Sequence, residues 1–190
     1  LINLLQQLKE QQKETQNRLH TAKDIYIKST HEAIIELLEE KIDQTSKRIE
    51  GMIKQKESLN IEYQNLQTIP AIGKETAVIL LRHLTDKNFE TANKFVAFAG
   101  LSPKIEQSGT SVNKKGRLSR YGHRQLKRAL FMPALVAYRM NAFPQLVSNL
   151  EAAKKPKMII IVALMRKLAK IAFYIHKTKK PFDKARHQTV

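Results

Sequence analysis

Between His31 and Leu66 the positions 35, 38, 42, 45, 49, 52, 56, 59, 63 and 66 read Ile, Leu, Ile, Thr, Ile, Met, Lys, Leu, Tyr and Leu. Alternating steps of three and four keep one stripe of a helix turned toward a neighbour, so the spacing predicts a long coiled-coil helix with polar breaks at Thr45 and Lys56. Upstream, Leu1, Leu5, Leu8, Gln12, Thr15, Leu19, Ala22 and Tyr26 follow the same rule more loosely. Ser29 or Thr30 is the expected N-cap of the second helix. Two such helices with a short link make an antiparallel hairpin over residues 1–66, expected to serve oligomerisation. Glu36, Glu39, Glu40 and Asp43 fall on or near one face. They suit a solvated surface pairing with lysines of the partner helix better than a metal cluster.

A hairpin accounts for only a third of the 190 residues, and the remainder has a different character. The formal net charge is +17, and residues 111–190 carry all of that excess. An asymmetry this large exceeds what solubility needs and points to a polyanion, with nucleic acid favoured because the bases are interleaved with small polar residues and helical faces. The chain has no Cys, which excludes disulfides, thiolate nucleophiles and Cys-containing zinc sites, and suits a reducing cytosol. The longest apolar run, residues 158–165, is less than half of the roughly 20 residues that a membrane span needs. The opening Leu1, with helical pattern from the start and no signal-like segment, suggests a piece of a longer protein.

From Leu66 to Leu84 the pattern predicts a helix ending near Gln67, a tight turn built by Pro70 and Gly73, and a second helix bearing Ala77, Val78, Leu80 and Leu81. This resembles a helix-hairpin-helix, in which Gly73 lets the backbone approach a phosphate, with Lys74 alongside. An ordinary helical corner is the alternative. Thr91 is a good N-cap for a helix that passes through Phe95 and Phe98 and ends at Gly100, and both Phe read as core. After a polar loop at 104–119, Leu126, Leu130, Ala134 and Ala137 share one helical face while Arg120, Arg124, Lys127 and Arg128 share the other, with a kink expected at Pro133. A short helix from about Pro144 to Ala152 leads into a last one, where Ile160, Leu164, Leu168, Ile171 and Ile175 oppose Arg166, Lys170 and Lys177. The tail from Thr178 is expected to fray. The fold class is therefore all-α: the hairpin over 1–66, a helix-hairpin-helix-containing domain over 67–178, and a flexible basic tail over 179–190.

Chemistry has few places to reside. From residue 69 onward the acids are Glu75, Asp86, Glu90, Glu106, Glu151 and Asp183, too scattered for a two-metal site. No G-x-S-x-G elbow supports a Ser hydrolase. The loop does hold Ser108, Ser111 and Ser119 among Lys and Arg, with Gly109 between them. A hydroxyl in such surroundings suits attack on phosphorus, because fixed cations stabilise the charge that gathers on the phosphoryl oxygens. On composition alone, plain phosphate binding by this loop is the better reading.

The blocks IPAIGKETAVILL, KFVAFAGLSPKIEQSGTS, GRLSRYGHRQLKRALFMPAL and KKPKMIIIVALMRKLAKIAF resemble, in order and spacing, the C-terminal domain of the DEDD-type insertion-sequence transposases of the IS-one-ten family and their DNA-invertase relatives. The match covers residues 66 to about 178. The resemblance implies a DNA transposase or site-specific recombinase in which a coiled coil joins a RuvC-like domain, absent here, to a helical domain with a nucleophilic serine. That serine falls on Ser108, with Ser111 second and Ser119 as an N-cap. Arg120 and His123 stand where the family usually has Lys and Asn. The resemblance further implies DNA and a guide (bridge) RNA as partners, Mg²⁺ held only by the RuvC-like domain, no cofactor in this chain, and a prokaryotic cytoplasmic, nucleoid-associated setting. Arg117, Arg120, Arg124 and Arg128 are the expected phosphate contacts, Lys114, Lys115 and Lys127 are more peripheral, and Gly73, Lys74, Arg166 and Lys170 complete the expected nucleic-acid-binding set. A non-catalytic nucleic-acid module is the alternative.

Overall fold

The computed structural model describes residues 1–104, 107–108, 112–113, 117–118 and 121–187. The chain divides into two compact units, Leu1–Asn60 and Ile61–Val190. The first is a pair of helices, α1 (Ile2–Thr21) and α2 (Ile25–Lys54), joined by a link too short for anything but an antiparallel return. Leu5, Thr15, Thr45, Ile49 and Ile53 are buried along the facing stripes, and Gln12 Nε2 donates to Glu39 Oε1 across them at 2.9 Å.

Three expectations change here. The cap of α2 is Asp24, whose carboxylate accepts from the Tyr26 and Ile27 amides; Ser29 and Thr30 lie inside the helix and donate back to the Tyr26 carbonyl. The long helix stops at Lys54 and restarts as α3 (Glu57–Gln67), breaking where the stripe would have buried Lys56. One residue before that break the buried position moves from Met52, which is 54% exposed, to Ile53. A straight helix drifts off a strict heptad by about 20° per repeat, and the shift absorbs that drift. Of the acidic face, Asp43 pairs with Lys47 of its own helix at 2.7 Å.

The second unit is built from α3, α4 (Lys74–Asp86), α5 (Ala92–Phe98), α6 (Arg124–Arg139), α7 (Pro144–Ala152), α8 (Lys157–Thr178) and α9 (Lys184–His187). Between α5 and α6 lie four two-residue strands, β1 (Pro103–Lys104), β2 (Gln107–Ser108), β3 (Val112–Asn113) and β4 (Arg117–Leu118). Apart from these the described secondary structure is helical, and the fold class is all-α. The core forms where α8 packs on α5 and α6. Ile160, Leu164, Leu168, Ile171 and Ile175 of α8 and Leu126, Leu130, Ala134 and Ala137 of α6 are buried, as their 3.6-residue spacing predicts. Pro133 sits within α6 and is buried there. Thr91 caps α5 through the Lys94 amide at 3.2 Å, and Pro144 occupies the first turn of α7.

The segment after α8 does not fray over Lys179–Phe182. Lys179 closes α8 in the left-handed region, its carbonyl accepts from Asn65 Nδ2 at 2.9 Å, and its ammonium reaches Glu62. The Phe182 amide then donates to Thr68 Oγ1 at 2.7 Å. Glu62, 2% exposed, also meets His176 Nδ1, so one buried carboxylate ties α3 to the end of α8. Burial alone would raise the Glu62 pKa, but hydrogen bonds from His176 and Lys179 outweigh it and hold the carboxyl below its ordinary range.

Candidate nucleic-acid interface

The serine-bearing stretch, expected as a loop, is a β-hairpin arm. Pro103 and Lys104 pair antiparallel with Leu118 and Arg117, and further out Gln107 and Ser108 pair with Asn113 and Val112. Ser108 therefore ends the outgoing strand, and the chain has reversed by Val112. Ser111, Lys114, Lys115, Arg120, Gly109 and Ser119 lie outside the described residues.

What fixes the arm is a backbone crossing at its root. Gly100 has φ +71 and Gly122 has φ +130, both in the region that favours glycine. A Cβ on Gly122 would stand 2.3 Å from the Gly100 Cα, and one on Gly100 would stand 2.7 Å from the Tyr121 carbonyl oxygen. Two glycines flanking the polar stretch let its two ends touch. The His123 amide donates to the Phe98 carbonyl at 2.7 Å, closing the crossing and starting α6. His123 takes the cap position of α6, which begins at Arg124; the expectations for Ser119 and Arg120 fall on residues outside the described ones.

Beneath the crossing, the His123 ring lies 4.1 Å from that of His83 and 5.4 Å from that of Phe98. Lys87 Nζ stands 4.4 Å from the Phe98 centroid. Phe95 is core as expected, whereas Phe98 is half-buried within this cluster. Burial, then the charges of His123 and Arg82, push His83 down to about 4. His123 is lowered by burial and by Arg82 and Lys87. Both imidazoles are thus held neutral at pH 7 in a cation-rich setting.

The expected cations separate into groups. Lys127 reaches the root of the arm, its Cε 3.2 Å from where a Gly100 Cβ would be. Arg124 and Arg128 are exposed on α6. The Arg117 backbone is in the stem. Arg166 and Lys170 instead line a groove of about 780 Å³, whose lining does not include the α6 cations. Gly73 and Lys74 stand at the start of α4, joined to α6 through Thr76 Oγ1 and the Ala129 carbonyl at 3.4 Å. Gly73 has φ −87, and nothing lies within 4 Å of where its Cβ would be; the strained position of that turn is Ala71, at φ +66. The tight turn therefore does not require Gly73, although its surface is open to a close neighbour.

Sequence reasoning missed the arm, the glycine crossing and the His83–His123 contact. A signal for the first two was present: Gly100 and Gly122 bracket the stretch symmetrically, in AGL and YGH. Among the described residues no three His, Asp or Glu side chains come together as a metal site, and no helix is long and apolar enough to cross a membrane.

Residues 63–148 match a family model described as Transposase IS116/IS110/IS902 family. Two proteins called pilin gene-inverting protein, from Moraxella lacunata and Moraxella bovis, are each 36% identical over 170 residues, which is 88% of this chain and 53% of theirs. The insertion element IS110 uncharacterized 43.6 kDa protein of Streptomyces coelicolor is 41% identical over 80 residues, 42% of this chain and 19% of that protein. The chain spans about half the length of the two Moraxella relatives.

Proposed function

We propose, from the match of residues 63–148 to the IS116/IS110/IS902 transposase family, that this chain is the DNA-gripping part of a transposase or invertase and that Ser108 is its nucleophile. The observation that most supports this reading is the position of Ser108, at the end of an arm strand whose root is pinned by the Gly100–Gly122 crossing. A pinned arm carries a hydroxyl to a phosphodiester at little entropic cost on binding. The Ser108 hydroxyl gives up its proton as its oxygen attacks phosphorus, the bond to one deoxyribose oxygen breaks, and that oxygen takes up a proton, so the exchange is balanced. The phosphodiester bond energy is kept in the serine linkage, so attack by a deoxyribose hydroxyl of another strand rejoins DNA without an external energy source.

The surrounding bases supply the fixed charge that the transition state needs. Arg117, Arg120, Arg124 and Arg128 contact phosphates, with Lys114, Lys115 and Lys127 further out, Arg166 and Lys170 along the stem, and Gly73 and Lys74 at a second backbone contact through a helix-hairpin-helix. Ser111 is the second candidate nucleophile. Mg²⁺ is held by a RuvC-like domain in the longer protein, a reading with which the absence of three convergent His, Asp or Glu side chains among the described residues is compatible. A guide RNA, self-association through the α1–α2 hairpin, and action on DNA in the prokaryotic cytoplasm complete the proposal.

The test uses the full-length protein. Ser108→Ala should abolish recombination while leaving DNA affinity within about twofold, and a covalent DNA adduct should map to Ser108. Normal recombination by that variant would reduce the arm to a phosphate-binding element and favour the non-catalytic module.

A further inference from the structure

The 780 Å³ groove beside the arm has a lining that phosphate binding does not explain. Its floor is one stripe of α8, where Met158, Ile159, Val162 and Ala163 recur at helical spacing and continue into Arg166, Lys167 and Lys170. Its other wall is Leu101, Pro103 and Leu118, the stem of the arm itself, with Leu146 of α7 closing one side. An apolar trough thus runs into three cations, and among the described residues its lining holds no acid.

Two further facts bear on what fills it. Met158 and Ile159 are 60% and 48% exposed, so the trough opens to solvent along its apolar lip. Lys167, only 6% exposed, has its ammonium disfavoured first by burial and then by Lys170. An anion seated at this end relieves that repulsion, while the apolar half needs a flat or apolar body. One polyanion has both parts in a single repeating unit: a nucleic-acid strand whose base has left its stack.

We infer that the groove binds an unstacked nucleotide of the DNA, its base against Ile159, Val162, Pro103 and Leu118 and its flanking phosphates on Arg166 and Lys170. This rests on the reading of the chain as a DNA-gripping transposase part and names how that grip is made. Apolar side chains hold extruded or unstacked bases elsewhere in nucleic-acid recognition, and they do so without reading sequence. Because Pro103 and Leu118 are also the arm's stem, a base lodged here fixes the strand alongside the arm that carries Ser108. The groove is then a holder that sets which phosphodiester faces the serine.

Three duplexes of equal length test this with the chain of residues 1–190: one fully paired, one with a single unpaired base, and one with an abasic residue in place of that base. The unpaired-base duplex should bind roughly tenfold more tightly than the abasic one, as expected when part of one base leaves water against an aliphatic surface. A 2-aminopurine at the unpaired position should change its fluorescence on binding. Ile159→Gln, at an exposed position, and Val162→Trp, which fills the trough, should each erase the preference while leaving affinity for the paired duplex within about threefold. Equal affinity for the unpaired-base and abasic duplexes, or a preference that survives both variants in folded protein, overturns the inference while the parent reading stands. Failure to bind any of the three would remove both.

Discussion

The two compact units bury their apolar residues very differently. In Leu1–Asn60 two of the five buried side chains are threonines, and Ile25, Tyr26, Leu37 and Met52 are each more than half exposed. In Ile61–Val190 the single helix α8 buries eleven residues. A helix pair with so thin a seam gains little from packing, whereas a helix inserted among four others, α4, α5, α6 and α7, reaches interior density. The difference teaches that the second unit supplies its own stability, and that strain and buried charge are affordable there. It holds a glycine crossing, an ionised Glu62 and two neutral His; the first unit holds nothing comparable among its buried groups.

The largest break in that contrast should come at the crossing. Gly122→Ala places a Cβ 2.3 Å from another backbone atom at a φ of +130. Strain of about 1–3 kcal/mol and overpacking of about 1–3 kcal/mol add, so a loss of about 5 kcal/mol is expected in the second unit. Thermal melts followed by the fluorescence of a tryptophan placed in one unit or the other would check this; an unchanged second-unit transition would refute the crossing. Next comes Glu62→Gln, which removes the buried charge that His176 and Lys179 meet; because Lys179 is 54% exposed and can turn to water, a loss of about 2 kcal/mol is expected. Because the Glu62 carboxyl is depressed, its contribution is present above the ordinary carboxylate range and is lost as pH falls through the folded value. The variant and the wild type should therefore converge in urea melts only at strongly acid pH.

His83 acts in a different window. Its folded pKa of about 4 lies below the usual 6.5, so between these values the unfolded chain takes a proton that the folded chain refuses. Stability should fall by about 3 kcal/mol as pH drops from 6.5 to 4, with no further loss from this group below. His83→Gln should flatten that part of the profile in urea titrations, whatever its own offset at pH 7. His123, also lowered, leaves a residual slope; a slope undiminished from that of the wild type would mean that the neutral imidazole is not at position 83.

Local patterns were legible and long-range ones were not. The apolar faces of α6 and α8, the Thr91 cap, the bounds of α7 and the seam of α1 and α2 from Leu5 to Ile49, Tyr26 excepted at 76% exposed, follow from spacing within one helix. The arm reads as a loop in the sequence because its ladders are two residues long and its alternation is weak. Glu62 meets His176 at a separation of 114 residues, so no local window contains that ion pair, and the anchoring of Lys179 and Phe182 was hidden with it. Ser108 was singled out by resemblance. Its place in the arm came from pairing, which the string QSGTSV does not announce.

The smallest effect should come from the seam, and it sharpens the contrast most directly. Thr15 and Thr45 are 8% and 9% exposed, and the Thr15 hydroxyl donates to the Gln11 carbonyl, a group already engaged as a helical acceptor. Replacing either by Val keeps the β-branched shape, removes a hydroxyl from the seam and adds apolar contact. Thr15→Val and Thr45→Val should each stabilise the hairpin by less than about 1 kcal/mol, since each hydroxyl-to-methyl change is a small transfer term. Urea midpoints of the first-unit transition should rise, with the second-unit midpoint unchanged. The two sites lie on different helices, so the double variant should equal the sum of the singles if they are separate contacts, and fall away from it if they touch. A drop in the midpoint would mean that these hydroxyls hold the hairpin in register, and that its thin seam is chosen for specificity over strength.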